Sequence, residues 1–320
     1  MIGNRWHQND PRRRAVSWQP CAEPAENDAP PDPLVETVVV PRTSDLGGFT
    51  VRRALPSVRR RTVGGFVFLD QMGPTIFDAG KGIDVRPHPH IGLATFTYLL
   101  DGAILHRDSV GSIQPITPGA VNWMTGGRGI VHSERTAPEL RTAAQPLYGL
   151  QLWVALPAAQ EETDPGFAHY AADAIPSVEG DGVTARVVVG DGFGLRSPVA
   201  TMSDLFFYDL RLNAGATASI AAEHVERALY LIEGRIELDG IAYDPGQLLV
   251  LAPGRPVEVH ALTAARLAAL GGEPLDGPRN IWWNFVSSRK DRIEQAKADW
   301  KRDRFNLPVP EETEFIPLPE

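Results

Sequence analysis

The segment RPHPHIG places His88 and His90 two residues apart. In an extended strand that spacing turns both imidazoles to one face, and Pro87 and Pro89 bias the residues before them toward extended backbone. Further along, GGRGIVHSER places His132 and Glu134 at the same spacing on a second expected strand. If the two strands approach across a barrel interior, three imidazoles and one carboxylate converge. Nitrogen and oxygen donors of this kind suit Fe(II), Mn(II), Ni(II), Cu(II) or Zn(II). Four protein ligands in an octahedral field leave two positions for solvent, dioxygen or a substrate oxygen, which would make such a site catalytic rather than structural. An isolated H-x-H is more often an exposed polar face than a ligand pair. The second pair, its carboxylate and the glycine-rich turn beside it give the metal reading its weight.

Other candidates are weaker. His106 follows Asp101-Gly102, a dipeptide that supplies the positive φ angles of a tight hairpin, which sets His106 either on a surface hairpin or near the site, behind the ligands or lining the pocket. His7, His169, His224 and His260 read as structural or exposed. The GGRG run at Gly126–Gly129 lacks a following Lys-Ser/Thr, so it is a turn and not a phosphate-binding loop. The basic runs Arg12–Arg14 and Arg59–Arg61 read as solvated surface in an acidic chain.

The elements that must position these residues are short. From Leu34 onward, apolar runs such as LVETVVV, GGFVFLD, LATFTYLLDG, LYGLQLWVAL, LFFYDLRL and ALYLIEG are broken by Gly, Pro and Asp. Many short strands with frequent turns predict an all-β fold of sandwiches or barrels. YLLDG at 98–102 recurs as YLIEG at 230–234, and each is followed by Pro-Gly (Pro118-Gly119, Pro245-Gly246) and Gly-Arg (Gly127-Arg128, Gly254-Arg255). The offsets of 132 and 127 residues are those of a duplication with small loop changes. Two tandem barrels follow: 34–157 with the metal residues, a polar linker over 158–180, and 181–320. One helix is expected near 288–303, with Ser288 as N-cap and Ile293, Ala296 and Trp300 on one face, followed by a C-terminal tail. Residues 1–33, proline-rich and polar, read as a flexible leader.

Composition narrows the function classes. The 320 residues suffice for two cores, and 43% hydrophobic with 22% charged residues is ordinary globular composition. With 31 Lys+Arg against 40 Asp+Glu, the formal charge of −9 argues against nucleic acid as a partner. Cys21 stands alone, which excludes intramolecular disulfides, iron–sulfur clusters and thiolate zinc sites. No apolar run approaches the ~18 residues of a membrane span, and MIGNRWHQNDPRRR lacks the apolar stretch of a secretory signal, so a cytoplasmic protein without membrane contact is expected.

Taken together, HPHIGLATFTYLLDG, PGAVNWMTGGRGIVHSER and GLQLWV resemble the pirin family of bicupins, and the resemblance covers nearly the whole chain from Leu34. It implies two tandem cupin barrels, the first holding one iron, Fe(II), through His88, His90, His132 and Glu134, other divalent metals being compatible with the same donors. Many cupins carry a further glutamate four residues after the second histidine; here that position is Ala94, leaving Glu134 as the carboxylate. Applied to the second barrel, the offsets map His88 and His90 onto Ile220 and Ala222, and His132 and Glu134 onto Val259 and Ala261, so that barrel is expected to lack metal. The family implies quercetin 2,3-dioxygenase activity. Its substrates would be O2 and a flavonol-like phenolic that chelates the metal, with Glu134 taking the hydroxyl proton and His106 as a second catalytic candidate. Some members are instead regulators, so a metal-loaded, redox-responsive module that binds a protein partner is the alternative, and a zinc-dependent isomerase is a third.

Overall fold

Residues 33–45 and 49–320 are described in the computed structural model. The leader, with His7, Cys21 and Arg12–Arg14, lies outside the described residues apart from Pro33. The alternating apolar runs form strands throughout, and the fold is all-β: two tandem cupin barrels with one C-terminal α-helix. Each barrel pairs a seven-stranded sheet with a four-stranded one. In the first barrel the large sheet runs in the order Gly166–Tyr170, Val121–Thr125, Leu93–Gly102, Gln145–Ala155, Phe66–Phe77, Thr50–Leu55, Arg42–Asp45. In the second the order is Val35–Val39, Leu248–Leu251, Glu226–Glu233, Ala265–Gly272, Leu205–Leu212, Val183–Val189, Ser177–Gly180. The small sheets carry the candidate metal residues on Asp84–His90 and Ile130–Arg135, and their counterparts on Thr217–Ile220 and Val257–Ala261.

The sheets do not follow chain order at their edges. Val35–Val39, which precedes the first barrel, pairs with Leu248–Leu251 of the second, and Gly166–Tyr170, which precedes the second, pairs with Val121–Thr125 of the first. Each barrel therefore lends its leading strand to the other, and residues 34–320 form one unit. The C-terminal segment also returns to the first barrel, where Phe285, Ile293, Ala296 and Trp300 pack against Ile91 and Val131.

Register shows the duplication residue by residue. Tyr98 faces Leu150, which faces Gln71; Tyr230 faces Ala268, which faces Asp209. The equivalent tyrosines reach reciprocally across the shared core: the Tyr98 hydroxyl donates to Asp209 Oδ2 at 2.9 Å, and that of Tyr230 to Gln71 Oε1 at 2.8 Å. Asp209 is buried and also held by Arg266, so Tyr98→Phe leaves a carboxylate short of one donor, whereas Tyr230→Phe leaves only an amide. Denaturant midpoints should show losses of about 1.5–3 kcal/mol for the first and about 0.5–1.5 kcal/mol for the second. The reverse order would mean that Arg266 alone satisfies Asp209.

Three sequence expectations need correction. Asp101-Gly102 is not a hairpin: Leu93–Gly102 pairs with Gln145–Ala155, while Ile104–Asp108 pairs with Ile130–Arg135 in the other sheet. The positive φ of Gly102 (86°) serves a corner between sheets, where a Cβ would sit 2.1 Å from the Pro146 carbonyl oxygen. Gly234 repeats that corner, with Ala264 O at 2.2 Å. The helix spans Lys290–Asp303 with Ile293, Ala296 and Trp300 buried as expected, but its N-cap position is Arg289. Ser288 is taken by buried Glu161, which accepts both its N–H (2.7 Å) and its hydroxyl (2.9 Å). Finally, register in the second barrel pairs Ala218 with Val259 as His88 pairs with His132, and Ile220 with Val257 as His90 pairs with Ile130. The counterparts of His88 and His90 are thus Ala218 and Ile220, two residues from the offset-derived positions; with Val259 and Ala261 all four are apolar and buried.

Candidate metal centre

Antiparallel pairing sets His132 opposite His88 and Ile130 opposite His90, and a bulge before Glu134 shifts it opposite Val85. The alternation of strand side chains then turns all four candidate residues inward. His88, His90 and His132 each offer a ring nitrogen within 4.8 Å of the others'. The His90 and His132 Nε2 atoms are 3.1 Å apart. Glu134 is buried beside them and lines the same cavity, its Oε1 3.2 Å from the Thr97 hydroxyl, which also lies 2.9 Å from Gln151.

Burial sets the protonation of this cluster. Desolvation lowers His88 to about 4, outweighing the Arg86 carbonyl that accepts its Nδ1–H at 2.9 Å. His90 and His132 are pushed well below the ordinary imidazole range by the same burial and by the neighbouring His88. All three are neutral near pH 7, each with a lone pair to give. Burial likewise pushes Glu134 up, outweighing the Thr97 hydroxyl that favours its charged form. Because the His88 Nδ1 proton is spent on a carbonyl, its Nε2 is the bare nitrogen. Two Nε2 atoms at 3.1 Å cannot both present lone pairs without a proton or a cation between them. The donor set therefore fits a divalent cation of the imidazole-binding class.

The cluster floors a cavity of about 390 Å³. Phe68 and Trp153 stack at 4.0 Å and 11° along one wall, with the Arg53 guanidinium 4.4 Å over Phe68 and in turn bidentate to Asp70 at 2.8 and 2.7 Å. Burial pushes Asp70 up despite Arg53. The cavity is lined as well by Ile281, Trp283 and Asn284 of the hairpin Asn280–Trp282/Phe285–Ser287, and by Ile316 of the tail, whose N–H donates to Pro87 O at 2.8 Å. The sequence reading singled out none of Arg53, Asp70, Phe68, Trp283 or Ile316. The aromatic run IWWNF was the one local signal for Trp283.

His106 is not on a surface hairpin; it lies near the site, behind a candidate ligand, and is not among the cavity-lining residues. It is buried behind His132, with its Nδ1 3.4 Å from His132 Nδ1, its Nε2 2.9 Å from Asp108 Oδ2, and its ring stacked on Phe167 at 4.5 Å. The remaining histidines lie elsewhere: His169 with Asn122, His224 with Asp204, His260 with Thr217. Gly126–Gly129 forms the expected turn, closed by Gly129 N–H to Gly126 O at 2.9 Å. Arg59 and Arg61 are exposed, while Arg60 pairs with Glu226 of the second barrel at 2.9 Å.

Two cupin barrels in one chain, with a three-histidine cluster in the first and apolar residues at the same places in the second, define a bicupin with a candidate metal site. The family models for Pirin and for the Pirin C-terminal cupin domain match residues 48–154 and 207–306. A pirin-like protein of Caulobacter vibrioides is 51% identical over 90% of this chain and 100% of its own length; human pirin is 30% identical over 79% and 87%. The crystal structure of a quercetin 2,3-dioxygenase from Acinetobacter baumannii superposes with a TM-score of 0.83 at 35% identity, covering 89% of this chain and 95% of that one. The chain belongs to the pirin family. Among the described residues, no helix is long and apolar enough to cross a membrane.

Proposed function

We propose that the protein is a metal-dependent dioxygenase that opens flavonol-type phenolics such as quercetin with O2, holding one iron through His88, His90, His132 and Glu134. The observation that carries this reading is the convergence of three neutral imidazoles in a cavity that the buried Glu134 carboxylate and a flat aromatic wall also line. The Acinetobacter structure, named a quercetin 2,3-dioxygenase, supports it by likeness. When bound, the metal would polarise the substrate's oxygens and supply the one-electron chemistry that dioxygen requires. The chain's own residues do the rest. The stacked Phe68 and Trp153 form one wall for a planar ring system to pack against, the apolar walls exclude water, and Glu134 accepts the proton of the flavonol hydroxyl. Both atoms of O2 enter the ring-opened product and one ring carbon leaves as carbon monoxide.

The test is oxygen uptake across a panel of phenolics by anaerobically purified protein of known metal content. Flavonol-dependent uptake matched by carbon monoxide release is the expected result. Metal-loaded protein that consumes no oxygen with any of them would overturn the reading. Redox-dependent binding of a protein partner would then favour the regulatory alternative, and turnover without oxygen a cupin isomerase.

A further inference from the structure

Asp108 is fully buried on the strand that pairs with Ile130–Arg135, directly opposite His132. Its Oδ1 accepts the backbone N–H groups of Val110 and Ser112, both at 3.0 Å. Those partners can only donate, so this oxygen is fixed as an acceptor. Oδ2 lies 2.9 Å from His106 Nε2. A carboxylate oxygen at that place calls for an N–H, so His106 in its neutral form carries its proton on Nε2 and its Nδ1 is a lone pair. That lone pair faces His132 Nδ1 at 3.4 Å, which calls for a proton there in turn. A neutral imidazole has one proton, so His132 is left with a bare Nε2, the atom 3.1 Å from His90 Nε2. Phe167, stacked on His106, fixes the plane of the intermediate ring.

A buried aspartate closing a turn needs only Oδ1 for that task, so the turn alone does not explain the rest of the chain of contacts. The second barrel separates the two roles. There Ile236 faces Ala261 as His106 faces Glu134, which makes Ile236 and Leu238 the counterparts of His106 and Asp108. Both are buried and apolar, so the barrel closes and packs without the pair. The polar relay occurs in the barrel that holds the imidazole cluster and is absent where the cluster is absent.

We infer that Asp108 is a positioning residue that, through His106, sets the tautomer of His132 and presents its Nε2 to the metal. The inference rests on the metal reading above and assigns His106 a place in the relay rather than contact with substrate. Asp108→Asn tests it without changing shape. The two backbone donors hold the amide oxygen at the Oδ1 place, which turns the NH2 group toward His106 Nε2. His106 must then move its proton to Nδ1, and His132 must move its proton to Nε2, where the metal would bind.

Long-range 15N–1H spectra of metal-free wild-type protein should show His106 protonated on Nε2 and His132 on Nδ1, and D108N should show both reversed. Anaerobic calorimetry with Co(II) should give ~10–100-fold weaker binding for D108N, the usual cost of losing an outer partner of a ligating histidine. A wild-type His132 protonated on Nε2 would overturn the inference with no variant needed, so it stays testable even if D108N fails to fold. Co(II) uptake by the wild type with unaltered D108N affinity overturns the role of Asp108 alone. Wild-type protein that takes up no Co(II) overturns the metal reading, and with it the purpose assigned to Asp108.

Discussion

Elemental analysis of the purified protein should return one divalent metal per chain, and His88→Ala, His90→Ala and His132→Ala should each return almost none. Removing a ligand leaves two imidazoles and one carboxylate in a cavity built around a larger set, so affinity should fall by more than the ~10–100-fold typical of outer-shell changes. The second barrel offers no substitute, because the counterparts of the four residues are Ala218, Ile220, Val259 and Ala261, all inside its apolar core. His224→Ala and His260→Ala should leave the content unchanged, since His224 pairs with Asp204 and His260 with Thr217. A cation that binds only the folded chain also stabilises it, by an amount that rises with the logarithm of its free concentration. Adding a chelator should therefore lower the melting temperature of the wild type and leave the three alanine variants where they were. A stoichiometry near two, or a chelator effect that survives in His132→Ala, would place metal somewhere other than this cluster.

The cluster was legible in the sequence because its geometry is local in the direction that matters. Two-residue spacing on a strand fixes a common face whatever the strand pairs with, and Pro87 and Pro89 make the strand assignment firm. The duplication was legible for a similar reason: the corner glycines Gly102 and Gly234 and their apolar flanks are required by each barrel separately. What was lost depended on partners far along the chain. Ile316 and Trp283 reach the cavity only because the C-terminal segment folds back on the first barrel, and the exchange of leading strands is invisible until both sheets exist. The placement of His106 stays open in the sequence between a surface hairpin and a position behind the ligands. Asp101-Gly102 announces a positive φ, but the same φ serves a hairpin or a corner between sheets, and only the corner puts Ile104, His106 and Asp108 together on the inner face. The alternation I-L-H-R-D carried that face; the hairpin reading turned attention from it. The offset error of two residues in the second barrel arises because strands and loops differ in length between the barrels, seven residues in Asp84–His90 against four in Thr217–Ile220, a difference that a fixed offset ignores.

Glu134→Gln should lose at least ~100-fold in turnover at full metal occupancy, within the ~10²–10⁴ range of general-base contributions. The side chain is buried on the cavity floor, and burial pushes its carboxyl up, so in the metal-free protein it holds a proton more readily than an exposed glutamate. A bound dication opposes that, favouring the charged form and lowering its basicity, but it acidifies an incoming flavonol hydroxyl as well. The two shifts run in the same direction, so the proton can still pass from substrate to carboxylate. The amide of the variant keeps the shape and one oxygen donor, and three imidazoles remain, so part of the metal affinity should persist. What it lacks is a site for the proton. Turnover must therefore be compared per bound metal, because a loss that only tracks occupancy shows a ligand and not a base. Thr97→Val gives a second measurement: it removes the hydroxyl 3.2 Å from Oε1 without touching the carboxylate, and it should cost far less than the glutamine. If fully loaded Glu134→Gln turns over at nearly the wild-type rate, Glu134 is not the base. His106 could not replace it from behind His132, and the proton would have to leave to solvent.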